Sequence, residues 1–176
     1  MNSPLLKQAM NSPLGRLVIV ANHNQLLGLW MEQQKYFGYG FNLESIANQE
    51  NNITRATKTW LHSYFMGNQP QITSWNLNPN GTDFQKQVWQ VLMQIPYGKT
   101  WNYRQIAQVL GNLNYARAVG QAIGHNPISI IIPCHRVLGS QGQLTGYAGG
   151  LERKQWLLHH EQVNSTKKAR IKKSKD

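Results

Sequence analysis

The chain contains one cysteine, Cys134, and two residues that can act on a thiol follow it directly. His135 offers a base and Arg136 a fixed positive charge. A thiolate is the nucleophilic form of cysteine, and cations or an imidazole nearby lower the pKa of a thiol, so this sequence predicts an activated nucleophile. A carboxylate such as Glu161 could orient the imidazole and complete a Cys-His-Glu relay. The alternative is that Cys134 is a buried small apolar residue, as most free cysteines are.

The residues on either side of Cys134 predict the elements that present it. The apolar run at 128–132 is typical of a buried strand, and Pro133 ends it, so we expect Cys134 at an edge of the core. The glycine-rich stretch 137–150 predicts a looped wing, and a last helix is expected over 151–162. The inward-facing side chains of this helix would be Leu151, Trp156, Leu157 and Leu158.

Three short helices are predicted between residues 82 and 124. Pairs with the spacing of a capping box, which begins a helix, are Thr82 with Gln85 and Asn102 with Gln105. Asn114 could cap the third helix, which ends at Gly124. Two short helices joined by a tight polar turn are typical of a helix-turn-helix, with 115–124 as the recognition helix, although many such helical units do not bind DNA.

The first 80 residues predict a small α+β unit. Strand-forming runs at 17–20 and 26–31 flank a polar turn and favour a hairpin. Apolar residues at helical spacing predict a helix over 54–66. The stretch 68–81 is rich in Asn, Pro and Gly, which is typical of a linker. No residue in this part has the pattern of a catalytic site.

Composition narrows the classes of function. The 176 residues include 18 Lys and Arg against 7 Asp and Glu, a formal net charge of +11, which favours polyanionic partners such as nucleic acid. Apolar runs are too short to span a membrane, and the N-terminus lacks the pattern of a signal peptide. One cysteine cannot form an intrachain disulfide and disfavours a thiolate zinc site. These features predict a cytoplasmic protein.

Six of the basic residues follow residue 163, against the single acid Asp176. Such runs are usually disordered and solvated, and our hypothesis is that this one adds non-specific affinity for phosphates. The organisation expected from the sequence is an N-terminal α+β domain of residues 1–80, a second domain of residues 81–163 and a disordered basic tail of residues 164–176.

The run IPCHRV at 132–137 resembles the active-site motif of the O6-alkylguanine-DNA alkyltransferases, also called methylated-DNA–protein-cysteine methyltransferases. Further runs resemble this family in the same order and spacing: GTDFQ at 81–85, ARAVG at 116–120, HNP at 125–127, GYAGG at 146–150 and WLLHHE at 156–161. The resemblance implies an α+β fold. A small N-terminal domain of ribonuclease-H-like topology would precede a helical domain with a winged helix-turn-helix.

The resemblance implies DNA repair by direct reversal of alkylation. The methyl group of O6-methylguanine in double-stranded DNA, and also that of O4-methylthymine, would pass irreversibly to Cys134, once per molecule. His135 would take the thiol proton through a water, Glu161 would hold His135, and Asn126 would brace the active-site turn. The reaction would need neither a cofactor nor a metal, and a monomer would suffice.

The same resemblance implies the DNA contacts. The target base lies inside the duplex, so it must be flipped out. Arg117 would fill the vacated stack, Tyr103 would contact the flipped base, and Tyr147 would cover the alkyl pocket. The Ala148 backbone N–H would donate to the guanine oxygen, and a backbone carbonyl at Val137 would accept from the guanine amino group. Small side chains that would let the recognition helix approach the minor groove are at Ala118, Gly120 and Ala122.

One departure from the family and three other functions stay open. Ser129 stands where some members have a second proline, so the tolerance of larger alkyl groups is undecided. A non-catalytic protein that recognises alkylated DNA would lack the acceptor cysteine, whereas Cys134 is present. A cysteine hydrolase would leave the helix-turn-helix unexplained. A transcription factor would need a regulatory domain for which this chain is too short.

Overall fold

The computed structural model, which describes residues 3–72 and 76–173, contains a five-stranded mixed sheet, a small two-stranded sheet and five helices. The strands of the larger sheet are β1 (Leu6–Ser12), β2 (Gly15–Ala21), β3 (Gln25–Met31), β4 (Ala47–Asn48) and β5 (Asn76–Leu77). Their order is β4-β1-β2-β3-β5. The three central strands are antiparallel, and the short outer strands pair in parallel with β1 and β3.

The remaining elements follow in the second half of the chain, apart from the first helix. The helices are α1 (Asn52–Phe65), α2 (Asp83–Leu92), α3 (Tyr103–Val109), α4 (Ala116–Gly124) and α5 (Leu151–Lys173). The two-stranded parallel sheet joins β6 (Trp101–Asn102) to β7 (Val137–Leu138). Short 3-10 turns occur at Leu43–Ser45, Leu113–Tyr115 and Cys134–Arg136. No helix within the described ranges is long and apolar enough to cross a membrane.

Local signals placed the hairpin and two helix starts correctly. The predicted hairpin is β2 with β3, and the predicted helix over 54–66 is α1. Both predicted capping boxes are present: the side chains of Thr82 and Asn102 accept from the backbone N–H three residues later, and the glutamine there closes each box. These bonds satisfy N–H groups that a helix start leaves without partners. The sequence reading missed β1, which pairs with β2 along its length.

The predicted strand over residues 128–132 is wrong. Ile128 makes a single bridge to Leu29, and the chain then turns, with Ile130 at a φ of +70°. All five residues are buried, so their apolar character reflects packing in the core and not pairing in a sheet. Burial alone does not separate a strand from a buried turn, which is why the pattern misled. The expectation that Cys134 lies at an edge fails with it, since its side chain is buried.

The predicted disordered tail is wrong over residues 164–173, because α5 continues through them to Lys173. Asn164 donates to the His160 carbonyl at 2.8 Å, and the hydroxyls of Ser165 and Thr166 donate to the Gln162 carbonyl. Lys, Arg and Ala are good helix formers, and cations near a helix C-terminus interact favourably with the helix dipole. The last three residues of the predicted tail lie outside the described residues.

Two smaller helix predictions are also wrong. Asn114 does not cap the predicted recognition helix. The Asn112 side chain accepts from the backbone N–H of Asn114, and α4 starts at Ala116 with no side-chain hydrogen bond from its N-cap residue Tyr115. Leu151 does not face inward, because it occupies the exposed first turn of α5 and is 48% exposed.

One hydrophobic core extends through both halves of the chain. The backbone of Leu29 in β3 donates to the Pro127 carbonyl and accepts from Ser129 N–H, each at 2.9 Å. On the other side, the Trp89 indole N–H of α2 donates to the Ala122 carbonyl of α4 at 2.8 Å. The segment that leads to Cys134 is therefore bonded to the N-terminal sheet, while α2 and α4 are bonded to each other.

Candidate active site around Cys134

Cys134 begins the 3-10 turn Cys134–Arg136, directly after Pro133. Its side chain is 4% exposed, and the Asn126 side-chain amide donates to Sγ at 3.2 Å. Burial raises the pKa of the Cys134 thiol, while the Asn126 amide and the charge of Lys154 act in the opposite direction. The resting residue is thus a protonated thiol in contact with groups that favour its thiolate.

Asn126 closes the turn that carries the cysteine. Its Nδ2 also donates to the Ile132 carbonyl at 2.9 Å and to the Ile128 carbonyl at 3.3 Å, and its Oδ1 accepts from Ile128 N–H at 2.9 Å. Every polar atom of this buried side chain therefore has a partner. The bonds fix the strained turn at Ile130 and set the position of Sγ.

Glu161, from the middle of α5, is 1% exposed and accepts from four residues. Its Oε1 accepts from His135 Nε2 at 2.7 Å, Tyr64 hydroxyl at 2.7 Å and Arg136 Nη2 at 3.0 Å. Its Oε2 accepts from Arg136 Nε at 2.8 Å and Gly98 N–H at 3.1 Å. The His135 and Arg136 side chains hold the pKa of Glu161 well below its ordinary value in spite of burial. The carboxylate is charged at neutral pH.

This carboxylate decides the tautomer of His135. A charged carboxylate can only accept, so the proton of the His135–Glu161 hydrogen bond belongs to Nε2. Nδ1 then carries the lone pair, and it is buried with no hydrogen-bond partner among residues 3–72 and 76–173. Burial lowers the pKa of His135 even though the charge and hydrogen bond of Glu161 act to raise it, and the charge of Arg136 acts in the same direction as burial. A neutral imidazole that can accept a proton at Nδ1 follows the cysteine in the chain.

Lys154 belongs to this site, and the sequence analysis missed it. It is 1% exposed, its Nζ donates to the Thr145 carbonyl at 2.7 Å, and burial lowers its pKa to about 8. The signal was available in the spacing, because Lys154, Leu157 and Glu161 lie at i, i+3 and i+7 on the buried face of α5. A lysine at an inward position is rare unless it has a partner.

Tyr147 and its neighbours form the wall next to the thiol. The Tyr147 hydroxyl is buried without a hydrogen-bond partner in the described part of the chain, and burial together with the Cys134 charge raises its pKa well above the ordinary value. The N-terminal half holds this wall, since Lys35 N–H donates to the Ala148 carbonyl at 2.8 Å. A Cβ added at Gly149 would lie 2.7 Å from the Tyr147 ring, so the glycine permits this close packing.

The N-terminal half thus contributes to a site that its sequence did not predict. Tyr64 of α1 donates to Glu161, and Gln34 Oε1 accepts from Met31 N–H at 2.8 Å and Ser129 hydroxyl at 3.2 Å. The contacts of Tyr64 with Glu161 and of Gln34 with Ser129 join residues far apart in sequence. Such long-range contacts leave no local sequence pattern from which they could be predicted.

The residues predicted to contact DNA lie on a second surface. Tyr103, Arg117 and Gly120 line an open cavity of about 500 Å³, with Arg117 and Ala118 exposed on α4. The Tyr103 hydroxyl is 3.0 Å from Thr145 Oγ1, and the Thr145 carbonyl is the acceptor for Lys154, so this surface adjoins the buried site. Val137 is fully buried and pairs with Trp101 in the two-stranded sheet.

The described residues do not bring three or more His, Cys, Asp or Glu side chains together as a metal site would require. Most of the predicted residues fall into two groups. The group around the thiol contains the buried residues Cys134, His135, Glu161 and Asn126, with the half-buried Tyr147 beside them. The second group, Tyr103, Arg117 and Gly120, lines the open cavity, and Ala118 is exposed on the same helix as Arg117.

Comparison with known proteins identifies relatives over almost the whole chain. Residues 83–163 match the family model described as 6-O-methylguanine DNA methyltransferase, DNA binding domain. A methylated-DNA–protein-cysteine methyltransferase of Salmonella typhimurium is 42% identical over 164 residues, which cover 89% of this chain and 95% of that protein. The protein of the same name from Methanosarcina barkeri is 39% identical over 171 residues, which cover 88% of this chain and 96% of that protein.

Solved structures agree. The structure of Mycobacterium tuberculosis O6-methylguanine methyltransferase superposes with a TM-score of 0.80 at 39% identity, covering 91% of this chain and 94% of that one. A structure of the M. tuberculosis OGT in complex with DNA superposes with the same TM-score and identity, covering 90% of this chain and 94% of that one.

Replacing Glu161 with glutamine tests the buried carboxylate. Its pKa is depressed in the folded state, so its contribution to stability is present above the unfolded-state pKa and is lost as pH falls. We expect Glu161→Gln to lower the free energy of unfolding by about 3–5 kcal/mol at pH 7, the cost of breaking a buried ion pair. The variant should also lose much of the decline in stability below about pH 4. Urea denaturation between pH 3 and pH 8 measures both effects.

The matched control is Glu50→Gln. Glu50 also has a lowered pKa, through Arg55 and Lys58, but it lies at the surface, where ion pairs contribute little. Its replacement should change stability far less. Equal losses for the two variants would contradict the role of burial at Glu161.

Replacing Lys154 with methionine tests its effect on the thiol. Loss of this cation raises the pKa of Cys134, so fewer molecules carry a thiolate at neutral pH. We expect Lys154→Met to slow the alkylation of Cys134 by iodoacetamide at pH 7.5, because the thiolate is the form that reacts. The rate profile should also move to higher pH. Arg153→Met, which removes the cation that bonds the Glu32 carbonyl, is the control and should leave the profile in place.

Proposed function

The chain belongs to the methylated-DNA–protein-cysteine methyltransferase family, and on this basis we propose that it repairs DNA by moving an alkyl group irreversibly from O6-alkylguanine to Cys134. The protein acts on double-stranded DNA and turns over once per molecule. O4-methylthymine is the expected second substrate. The observation that carries the proposal is the buried thiol held by Asn126 beside a neutral His135 whose proton is fixed by Glu161.

The proposed step balances as a nucleophilic displacement. The Cys134 thiol gives its proton to Nδ1 of His135 through a water, and Glu161 stabilises the imidazolium that forms. Sγ then bonds to the alkyl carbon as the bond from that carbon to O6 breaks, and O6 keeps the electron pair. The product is a thioether. It has no good leaving group, so the protein is not regenerated.

Other residues of the wall would hold the guanine. The backbone N–H of Ala148 donates to O6, where negative charge develops, and a carbonyl at Val137 accepts from the guanine amino group. Tyr147 covers the alkyl group. Its buried hydroxyl has no hydrogen-bond partner among the residues that the structure describes, which supports a position facing a polar ligand. Lys154 favours the thiolate by its charge.

Access to the guanine requires base flipping, since its O6 lies inside the duplex. We assign the helix-turn-helix to α3 and α4, with β6 and β7 at the base of a wing. Arg117, exposed in the first turn of α4, would fill the vacated stack, and Tyr103 would contact the flipped nucleotide. Ala118 and Gly120 leave room for α4 in the minor groove. The similar M. tuberculosis structure solved with DNA supports DNA as the partner.

The finer description of the fold belongs to this proposal. The sheet and α1 would form a ribonuclease-H-like N-terminal domain over residues 1–80, and residues 81–163 the winged helix-turn-helix domain. We infer that the first domain stabilises the second, because the two share one hydrophobic core and are joined by the hydrogen bonds of Leu29 and Tyr64. We place the protein in the cytoplasm as a monomer that associates with the nucleoid when bound to DNA. No step requires a cofactor.

Intact mass spectrometry tests the proposed reaction. Wild-type protein is mixed with excess duplex DNA carrying one O6-methylguanine, beside Cys134→Ala. We expect the wild type to gain one methyl group per chain, with no further gain over time, because the acceptor is used once. The alanine variant should keep its mass.

Two other results would contradict the proposal in different ways. Unchanged mass with tight, lesion-preferring binding would indicate a recognition protein without repair. Methylation of the alanine variant would place the acceptor at another residue.

A further inference from the structure

The last turns of α5 carry a concentrated positive charge that the proposed reaction does not use. From residue 164 to Lys173 the sequence has no acidic residue and five cations: Lys167, Lys168, Arg170, Lys172 and Lys173. Every side chain from residue 166 to 173 is exposed. We call residues 167–173 the basic end of α5.

The cations surround the helix instead of forming one stripe. At 100° per residue, Lys167, Lys168 and Lys173 point in three different directions. Cations at i, i+3 and i+4, such as Lys168 with Lys172, repel one another. A helix of this kind gains most from a partner that supplies many negative charges at once, as a nucleic acid backbone does.

The direction of the basic end is fixed by the residues before it. A Cβ added at Gly67 would lie 2.4 Å from Asn164 Oδ1, and one added at Gly98 would lie 2.6 Å from Ser165 Oγ. The helix therefore packs closely against both Gly67 and Gly98, and it then extends beyond them. The basic end has a defined place relative to the rest of the fold.

That place is far from the surface proposed to meet the damaged duplex. The Lys154–Thr145–Tyr103 contacts put the first turns of α5 beside the cavity that Arg117 lines. With a rise of 1.5 Å per residue, Lys167 lies about 20 Å further along α5 and Lys173 about 28 Å further. The cations therefore lie at the end of α5 opposite to the one that adjoins this cavity.

From this separation we propose that the basic end of α5 binds the phosphate backbone of a second DNA segment, so that one molecule contacts two segments at once. The inference rests on the proposed function for the first contact. Lys and Arg bind phosphates without regard to sequence. A second attachment raises the effective concentration of the protein at DNA while α4 samples bases.

The experiment compares two full-length variants, one that removes the charge of the basic end and one that keeps it. The neutral variant carries Lys167→Gln, Lys168→Gln, Arg170→Gln, Lys172→Gln and Lys173→Gln. The charged control carries Lys167→Arg, Lys168→Arg, Lys172→Arg and Lys173→Arg. Gln, Lys and Arg have similar helix propensities, so α5 should persist in both, and circular dichroism checks this.

The probes are two short duplexes with different dyes, one bearing O6-methylguanine and one unmodified. Wild type and the charged control should bring the dyes together, giving energy transfer. The neutral variant should give no energy transfer and should bind one lesion duplex per protein molecule. The logarithm of the second binding constant should fall with the logarithm of salt concentration with a slope of up to about −4.5, for five phosphates.

Two results would overturn the inference. If neutralisation reduces the salt slope for the lesion duplex while the wild type binds only one duplex, the basic end contacts the same DNA as α4. If neutralisation changes no DNA binding, the charge serves another partner.

Methyl transfer in the same samples keeps the two proposals separate. All three proteins should transfer the methyl group at the same rate at saturating protein, because the proposed reaction uses no residue of the basic end. Transfer without a second duplex would contradict only this inference, whereas no transfer in wild type would contradict the proposed function.

Discussion

The buried carboxylate of Glu161 is the constraint on which the rest of this structure depends. Removing a carboxylate from water costs several kcal/mol, so burial is tolerated only when good hydrogen bonds and an opposite charge compensate it. Here the donors come from three places in the chain: Tyr64 of α1, Gly98 after α2, and the turn at His135 and Arg136. The acceptor comes from a fourth, α5. Satisfying one carboxylate therefore fixes these elements against one another.

The same constraint sets the chemistry of the thiol. Arg136 shares the Glu161 charge, and burial opposes a charged imidazole, so His135 stays neutral with its proton on Nε2. The cysteine stays protonated at rest because its own burial raises its pKa. A molecule that can react only once benefits from a thiol that is unreactive until substrate arrives. The neutral base supplies the means to activate it at that moment.

Features that depend on neighbours in sequence could be predicted. Both capping boxes are local, and the hairpin follows from two short apolar runs around a polar turn, so each was read correctly. The Cys-His-Arg run was expected to lower the pKa of the Cys134 thiol, but burial raises that pKa and Arg136 bonds Glu161. Features set by distant contacts were missed. Residues 128–132 are buried and contact β3 through a single bridge rather than through strand pairing. Tyr64 donates to Glu161, which is 97 positions away in the sequence. Lys154 is buried, but in the sequence it stands among the other charged residues of α5. The helical basic end was missed because composition alone does not show the glycines against which α5 packs.

The protonation state of His135 is the most direct test of this account. Nitrogen-15 NMR of the full-length protein, titrated from pH 8 to pH 5, separates the two neutral tautomers from the imidazolium. The account predicts a neutral ring with its proton on Nε2 at pH 7, and protonation only below the ordinary histidine pKa of about 6.5. A ring that carries its proton on Nδ1, or one that is charged at pH 7, would contradict it, because neither could accept the thiol proton at Nδ1.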